Sequence, residues 1–325
     1  FAEGRAFDLV WLPDMRPEES ERFIQREEAR GPGTPALPGT YEAARALLGD
    51  GADDFFASYP FRVAPATDDR PFFHHHFRWG ALTQILRMGA LGVAHLEFGY
   101  ALAVAFLLVA AALALVGTFA PILAAGAGAS GKGWAAGIGY FFAIGLAYMM
   151  VEMTTMLRIE RAVGHPVLAM ATTVAGFLFW SGLGSLASDR IRRKRLMIVL
   201  AGGASAVLCA WSLITAGADA ALAAPPVLAC GLSFLGLSGA AFAMGMMFPA
   251  GLAVFAGESA ARLAWYYGVG GFASVLAGSG TVLLAMEIGT RRTLLTAAAL
   301  YGAAAAIGWL AGRRAAAAQS RGQES

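Results

Sequence analysis

From residue 97 to residue 311 the chain returns repeatedly to apolar runs of about twenty residues, and this recurrence limits the fold more than any other feature. The runs are 97–119, 134–156, 166–187, 196–216, 226–248, 264–286 and 292–311. A helix rises about 1.5 Å per residue, so each run is long enough to cross a hydrocarbon core of roughly 30 Å. Backbone N–H and C=O groups find no water in lipid, which leaves helices and closed barrels. These runs lack the strict alternation of barrel strands. The expected fold class is an all-α integral membrane bundle of about seven transmembrane helices. Composition agrees: 58% hydrophobic residues, 14% charged residues and a mean hydropathy of +0.59 are too apolar for an ordinary soluble protein.

Residues before 91 are different in kind. They hold ten Arg against fourteen Asp and Glu, whereas the rest holds fourteen Lys and Arg against eight acids. The net charge of +2 therefore averages an acidic polar region and a basic membrane region, and no clustered basic face suggests a nucleic-acid partner. Residues 4–12, GRAFDLVWL, predict a short buried strand, and 18–30 an exposed helix. The stretch 31–39, GPGTPALPG, forbids regular structure, and Tyr41–Leu48 predicts a short amphipathic helix. Too few apolar positions are present to close an independent core, so residues 1–79 read as the tail of a globular α/β domain. Residues 80–96 form an interfacial amphipathic segment, 97–311 the bundle and 312–325 a polar tail. With Phe1 at its start and no signal-peptide pattern, the chain is expected to be a fragment or processed product. Cys209 and Cys230 lie inside apolar runs, where thiols behave as small hydrophobes.

Orientation follows from the basic loop at 190–195, where Arg190, Arg192, Arg193, Lys194 and Arg195 stand between two runs. Such clusters stay on the cytoplasmic side. The loop 217–225 has no basic residue and should face outward, and the tail with Arg313, Arg314 and Arg321 should face inward. Counting backward over an odd number of spans places residues 1–90 outside.

Small residues at four-residue spacing, above all Gly270, Ser274 and Gly278, and also Ser181 with Ser185 and Ala241 with Gly245, predict close helix packing, within one bundle or between two copies. Pro166 predicts a helix start and Pro249 a kink. Glu152, in YMMVEMTTM, places a carboxylate in an otherwise apolar helix about one turn from the end of its run. It is either a cation or proton site or a hydrogen-bonding or snorkelling structural group, with Arg158, Arg161 and His165 as the nearest candidate partners. Glu97 and Glu287 read as interfacial. His74, His75 and His76 are adjacent and point apart. Without a Cys or Glu at ligand spacing they read as part of an aromatic surface segment with Phe72, Phe73, Phe77 and Trp79 rather than as a metal site. Asp68 and Asp69 read as turn and cap residues. The polar region carries no dinucleotide or phosphate-binding glycine loop and no hydrolase or zinc-protease motif, so no catalytic, cofactor-binding or metal residue is assigned.

FDLVWLP at 7–13, YPFRVAPATDDRPFFHHHFRW at 59–79, YMMVEMTTMLRIERAVGHPVLA at 148–169, SGLGSLASDR at 181–190 and MFPAGL at 247–252 follow one another in an order that resembles the C-terminal half of bacterial multi-pass spermidine-synthase-like proteins. The resemblance implies that residues 1–79 leave a Rossmann-like domain akin to aminopropyltransferases and S-adenosylmethionine-dependent methyltransferases, and that the bundle sits in the bacterial cytoplasmic (inner) membrane. It further implies that S-adenosylmethionine or its decarboxylated form would bind in a domain upstream of Phe1, where the glycine loop and acidic catalytic residues would lie. The family's Asn-Gly pair in the sixth span is replaced here by Gly270 and Gly271. A second likeness links GLGSLASDRIRRKR, residues 182–195, to the loop after the second helix of major facilitator transporters, a pattern that positive-inside bias also produces. Two functions follow as expectations. One is the membrane module of a spermidine-synthase-like transferase, acting as anchor or substrate conduit. The other is a transporter of a cationic or lipophilic solute. The expected partners are the lipid bilayer, the upstream domain and, for the conduit and transporter readings, a small cationic solute.

Overall fold

The computed structural model describes residues 40–59, 61–81, 98–124, 133–214, 224–257 and 259–323. The chain divides into two compact units, 1–102 and 103–325.

In the first unit, helices α1 (Thr40–Leu48) and α2 (Ala52–Ser58) precede an irregular stretch and a single 3-10 turn at Trp79–Ala81. The amphipathic helix expected at 41–48 is α1. The last carbonyls of a helix have no partner in the helix itself. Here the Arg78 guanidinium supplies one, donating to Phe56, Ala57 and Tyr59 carbonyls at 2.6, 3.0 and 2.8 Å and placing positive charge at the negative end of α2. The described residues of this unit contain an isolated bridge between Thr67 and Arg70 and no strand, so the expected α/β character has no support among them. The strand expected at 4–12 and the helix at 18–30 lie outside the described residues, as does most of the segment 80–96.

The described residues of the second unit are helical apart from short connections. α3 (Phe98–Ala124) begins in the first unit and continues into the second, whose other elements are α4 (Trp134–Val163), α5 (Pro166–Arg190), α6 (Lys194–Ile214), α7 (Pro226–Gly236), α8 (Ser238–Gly251), α9 (Ala260–Ile288) and α10 (Thr290–Gln323). Six described helices are long and apolar enough to cross a membrane: α3, α4, α5, α8 with the turn that follows it, α9 and α10. This is the build of a multi-pass membrane protein. The most apolar of them, α3, has no buried residue, whereas α4 and α8 are buried over much of their length. Apolar side chains such as Phe106, Leu113 and Val116 are thus left facing outward, an arrangement suited to a hydrocarbon solvent.

Of the seven expected runs, six overlap these helices, and the fifth, 226–248, is shared between α7 and α8. α7 ends at Gly236 and α8 begins at Ser238, and Leu237 between them stays in the right-handed helical region, its N–H donating to the Ser233 carbonyl and its own carbonyl accepting from Ala241, so the two helices are joined by a local irregularity of one residue. Two glycines and a serine surround Leu237, and residues of these types weaken a helix interior. Pro249 lies inside α8 and is followed by a π-helical turn at Leu252–Ala256. The run expected at 196–216 is α6, a bundle member with Met197, Ile198, Ala201, Ser205 and Cys209 buried, although not one of the six. The tail expected from 312 is helical as far as Gln323. Between α4 and α5 the boundary falls where the sequence reading puts a helix start. Gly164 takes a left-handed φ of 68°, which favours glycine, and its N–H closes on the Glu160 carbonyl. His165 is extended and Pro166 opens α5.

The core lies where α4 packs on α9 and α10, α5 on α8, and α6 on α10. Fully buried aromatics mark its centre, with Phe141 stacked on Tyr266 at 4.8 Å and set edge-on to Tyr140 and Phe248.

Candidate functional site

Glu152 lies on α4, eleven residues before the helix ends at Val163. At 1.5 Å per residue that is about 16 Å, so the carboxylate stands about three turns inside the helix rather than the one turn expected from the apolar run. It is half-buried, and it makes no hydrogen bond or ion pair to a described residue. The candidate partners are not brought to it. At about 100° per residue Arg158 points roughly 120° away from Glu152 around the helix, and Arg161 points to the opposite side. His165 is exposed in the turn beyond the helix end. On the Glu152 side, one turn earlier, the Tyr148 hydroxyl meets the Ser181 hydroxyl of α5 at 3.2 Å. The hydroxyls of Thr154, Thr281 and Tyr301 are buried without a hydrogen-bond partner among the described residues.

The helix-packing residues are seated at two backbone crossings. At the first, α4 meets α9: a Cβ placed on Gly145 would come 2.5 Å from the Gly270 carbonyl oxygen, and Ser274 Oγ donates to the Gly270 and Gly145 carbonyls at 3.0 and 3.3 Å. Gly278, next along that stripe, has open space around its Cβ position. At the second, α5 meets α8: a Cβ on Gly184 would collide with the Phe242 backbone, and one on Gly245 with the Ser181 backbone. The sequence reading named Gly245 and Ser181 but not Gly145 or Gly184. Gly184 stands three residues after Ser181, and the i+3 ridges of a helix pack as readily as the i+4 ridges. Two hydrogen bonds that no sequence pattern announced join other elements: Tyr140 donates to the Met247 carbonyl at 2.7 Å, and Trp180 to the Phe234 carbonyl near the end of α7 at 2.9 Å.

No family model, curated protein or solved structure matches this chain. The site is therefore read from its geometry and from the sequence alone.

The histidine run is spread over three settings. His74 lies against Phe73 at 4.3 Å between ring centres, His75 is buried and stacked on Tyr100 at 5.0 Å, and His76 donates through Nδ1 to the Arg62 carbonyl at 3.0 Å. Phe77 stacks on the same Tyr100.

The basic loop joins two helix ends. Arg190 closes α5, Arg192, Arg193 and Arg195 are exposed, and the Lys194 ammonium donates to the Ser188 carbonyl at 2.5 Å, capping the C-terminus of α5. With this loop on the cytoplasmic side, a cysteine at position 189 in a chain lacking Cys209 and Cys230 is expected to react with a membrane-impermeant maleimide only after the cells are permeabilised. Labelling of intact cells would reverse the orientation. Position 189 is exposed and suits the test, whereas the neighbouring Ser188 is fully buried.

Proposed function

We propose that the chain is the membrane module of a spermidine-synthase-like transferase in the bacterial cytoplasmic membrane, and that the bundle acts mainly as an anchor for a synthase-like domain. The observation that supports an anchor is the backbone contact at the two crossings. Helices touching through Gly145 and Gly270, and through Gly184, Gly245 and their partners, leave little room to slide or part at those points. The transferase identity rests on the sequence resemblance, and S-adenosylmethionine or its decarboxylated form would be the cofactor of the synthase-like domain.

One observation favours the second reading, a conduit or a facilitator-like transporter. Glu152 stands inside an apolar helix with no hydrogen bond or ion pair to a described residue, and an intramembrane carboxylate is expensive unless it is neutral, hydrated or matched by a cation. Glu152→Gln separates the two. Under the anchor reading no hydrogen bond to a described residue is lost, so thermal stability in detergent should change by less than about 1 kcal/mol. Group transfer from radiolabelled cofactor by the protein as it occurs in its host should persist. A well-folded Gln variant that loses that transfer, or that loses spermidine uptake shown by the unaltered protein in proteoliposomes, would overturn the anchor reading and establish Glu152 as a solute or proton site.

A further inference from the structure

Between α6 and α8 a cleft of about 540 Å³ opens on the side of the bundle. At the end nearest the loop before α6, taken here as its mouth, it is lined by Arg192 and Arg193. Below the mouth, Leu196, Leu200, Ala204 and Leu208 form one wall at successive turns of α6, and Phe242 and Met246 of α8 stand opposite. A second cavity of about 470 Å³ shares that end, lined by Arg192 to Leu196 with Ala253 and Val254.

We propose that this cleft binds one anionic glycerophospholipid, with an acyl chain between α6 and α8 and the phosphate on the basic mouth. Three features support this occupant. The mouth lies where α5 ends and α6 begins, which is the membrane surface in a bundle of spanning helices, so its charges sit at headgroup level. The apolar wall from Leu196 to Leu208 runs about 18 Å down the helix, close to the roughly 15 Å depth of one leaflet. Charge is complementary as well: Arg192 and Arg193 are exposed at the mouth with Arg195 close by, while Lys194 is turned back onto the Ser188 carbonyl. Basic pockets between transmembrane helices at the membrane surface are suited to phosphate headgroups, whereas a zwitterionic headgroup gains far less there. The inference needs only the helical membrane bundle and is independent of the transferase reading.

The test is native mass spectrometry of the whole chain in a non-ionic detergent, with phosphatidylglycerol and phosphatidylcholine of matched acyl chains in equal amounts. One phosphatidylglycerol per chain should be retained in about tenfold preference over phosphatidylcholine. The double variant Arg192→Gln, Arg193→Gln should lose that preference. Ala204→Trp, at an exposed position on the cleft wall, should reduce retention of both lipids while the basic loop stays intact. Melting curves of both variants establish that they are folded. Equal retention of the two lipids by the unaltered chain, or an undiminished preference in the folded variants, would overturn the proposal.

Discussion

Gly245→Leu is expected to be the most damaging single substitution in the bundle. Its Cβ would fall on the backbone of Ser181, with the Ser181 Cα at 2.5 Å, so no rotamer change relieves the clash and α5 and α8 must move apart. Overpacking of a well-packed interior costs about 1 to 3 kcal/mol, and a collision with backbone belongs at or above the top of that range. In a domain of this size about 3 kcal/mol lowers the melting temperature by about 6 to 12 °C. Differential scanning fluorimetry in detergent measures it. Gly278→Ala is the matched control: nothing lies within 4 Å of its Cβ position, and removing a glycine from a helix interior gains roughly 0.5 to 1 kcal/mol. A Leu variant as stable as the parent would mean that α5 and α8 do not cross at this point.

Phe141→Ala should come next in size. Phe141 is fully buried, stacked on Tyr266 and edge-on to Phe248 and Tyr140, and it ties α4 to both α8 and α9. In water-soluble cores such truncations cost about 3 to 5 kcal/mol, part of it for transfer of apolar surface from water. Much of that transfer part vanishes in lipid, while the lost ring contacts and the cavity remain, so about 2 to 4 kcal/mol is expected. Phe141→Leu, which refills part of the space, should recover more than half of the loss. Equal melting temperatures for the Ala variant and the parent would show that the aromatic cluster does not hold the bundle together.

What could be read before the structure was known divides along a physical line. Lengths of apolar run and the position of Pro166 are local signals, and α4, α5, α9 and α10 all contain the runs expected of them. The far end of Glu152's helix shows the limit: the apolar run stops near residue 156, but α4 continues through Arg158, Glu160 and Arg161 to Val163, because charged residues such as Arg and Glu are good helix formers. Hydropathy marks where lipid ends, not where the helix ends. The irregularity at Leu237 was equally hidden, since an interruption of one residue leaves the apolar pattern of 226–248 intact. The packing residues were half legible. Small residues at four-residue spacing led to Gly270, Ser274 and Gly245, but their opposite numbers Gly145 and Gly184 depend on which helices become neighbours, and that is a property of the assembled bundle.

The turn at Gly164 and His165 has a consequence for biogenesis. Only two residues separate thirty residues of α4 from twenty-five of α5, a connection too short to let their adjoining ends part. Insertion of the pair as one helical hairpin is the expected route, with the basic cluster after Arg190 orienting both helices at once. By that route Glu152 enters the hydrocarbon with α5 alongside, and the Tyr148–Ser181 contact one turn away can form during insertion rather than after it.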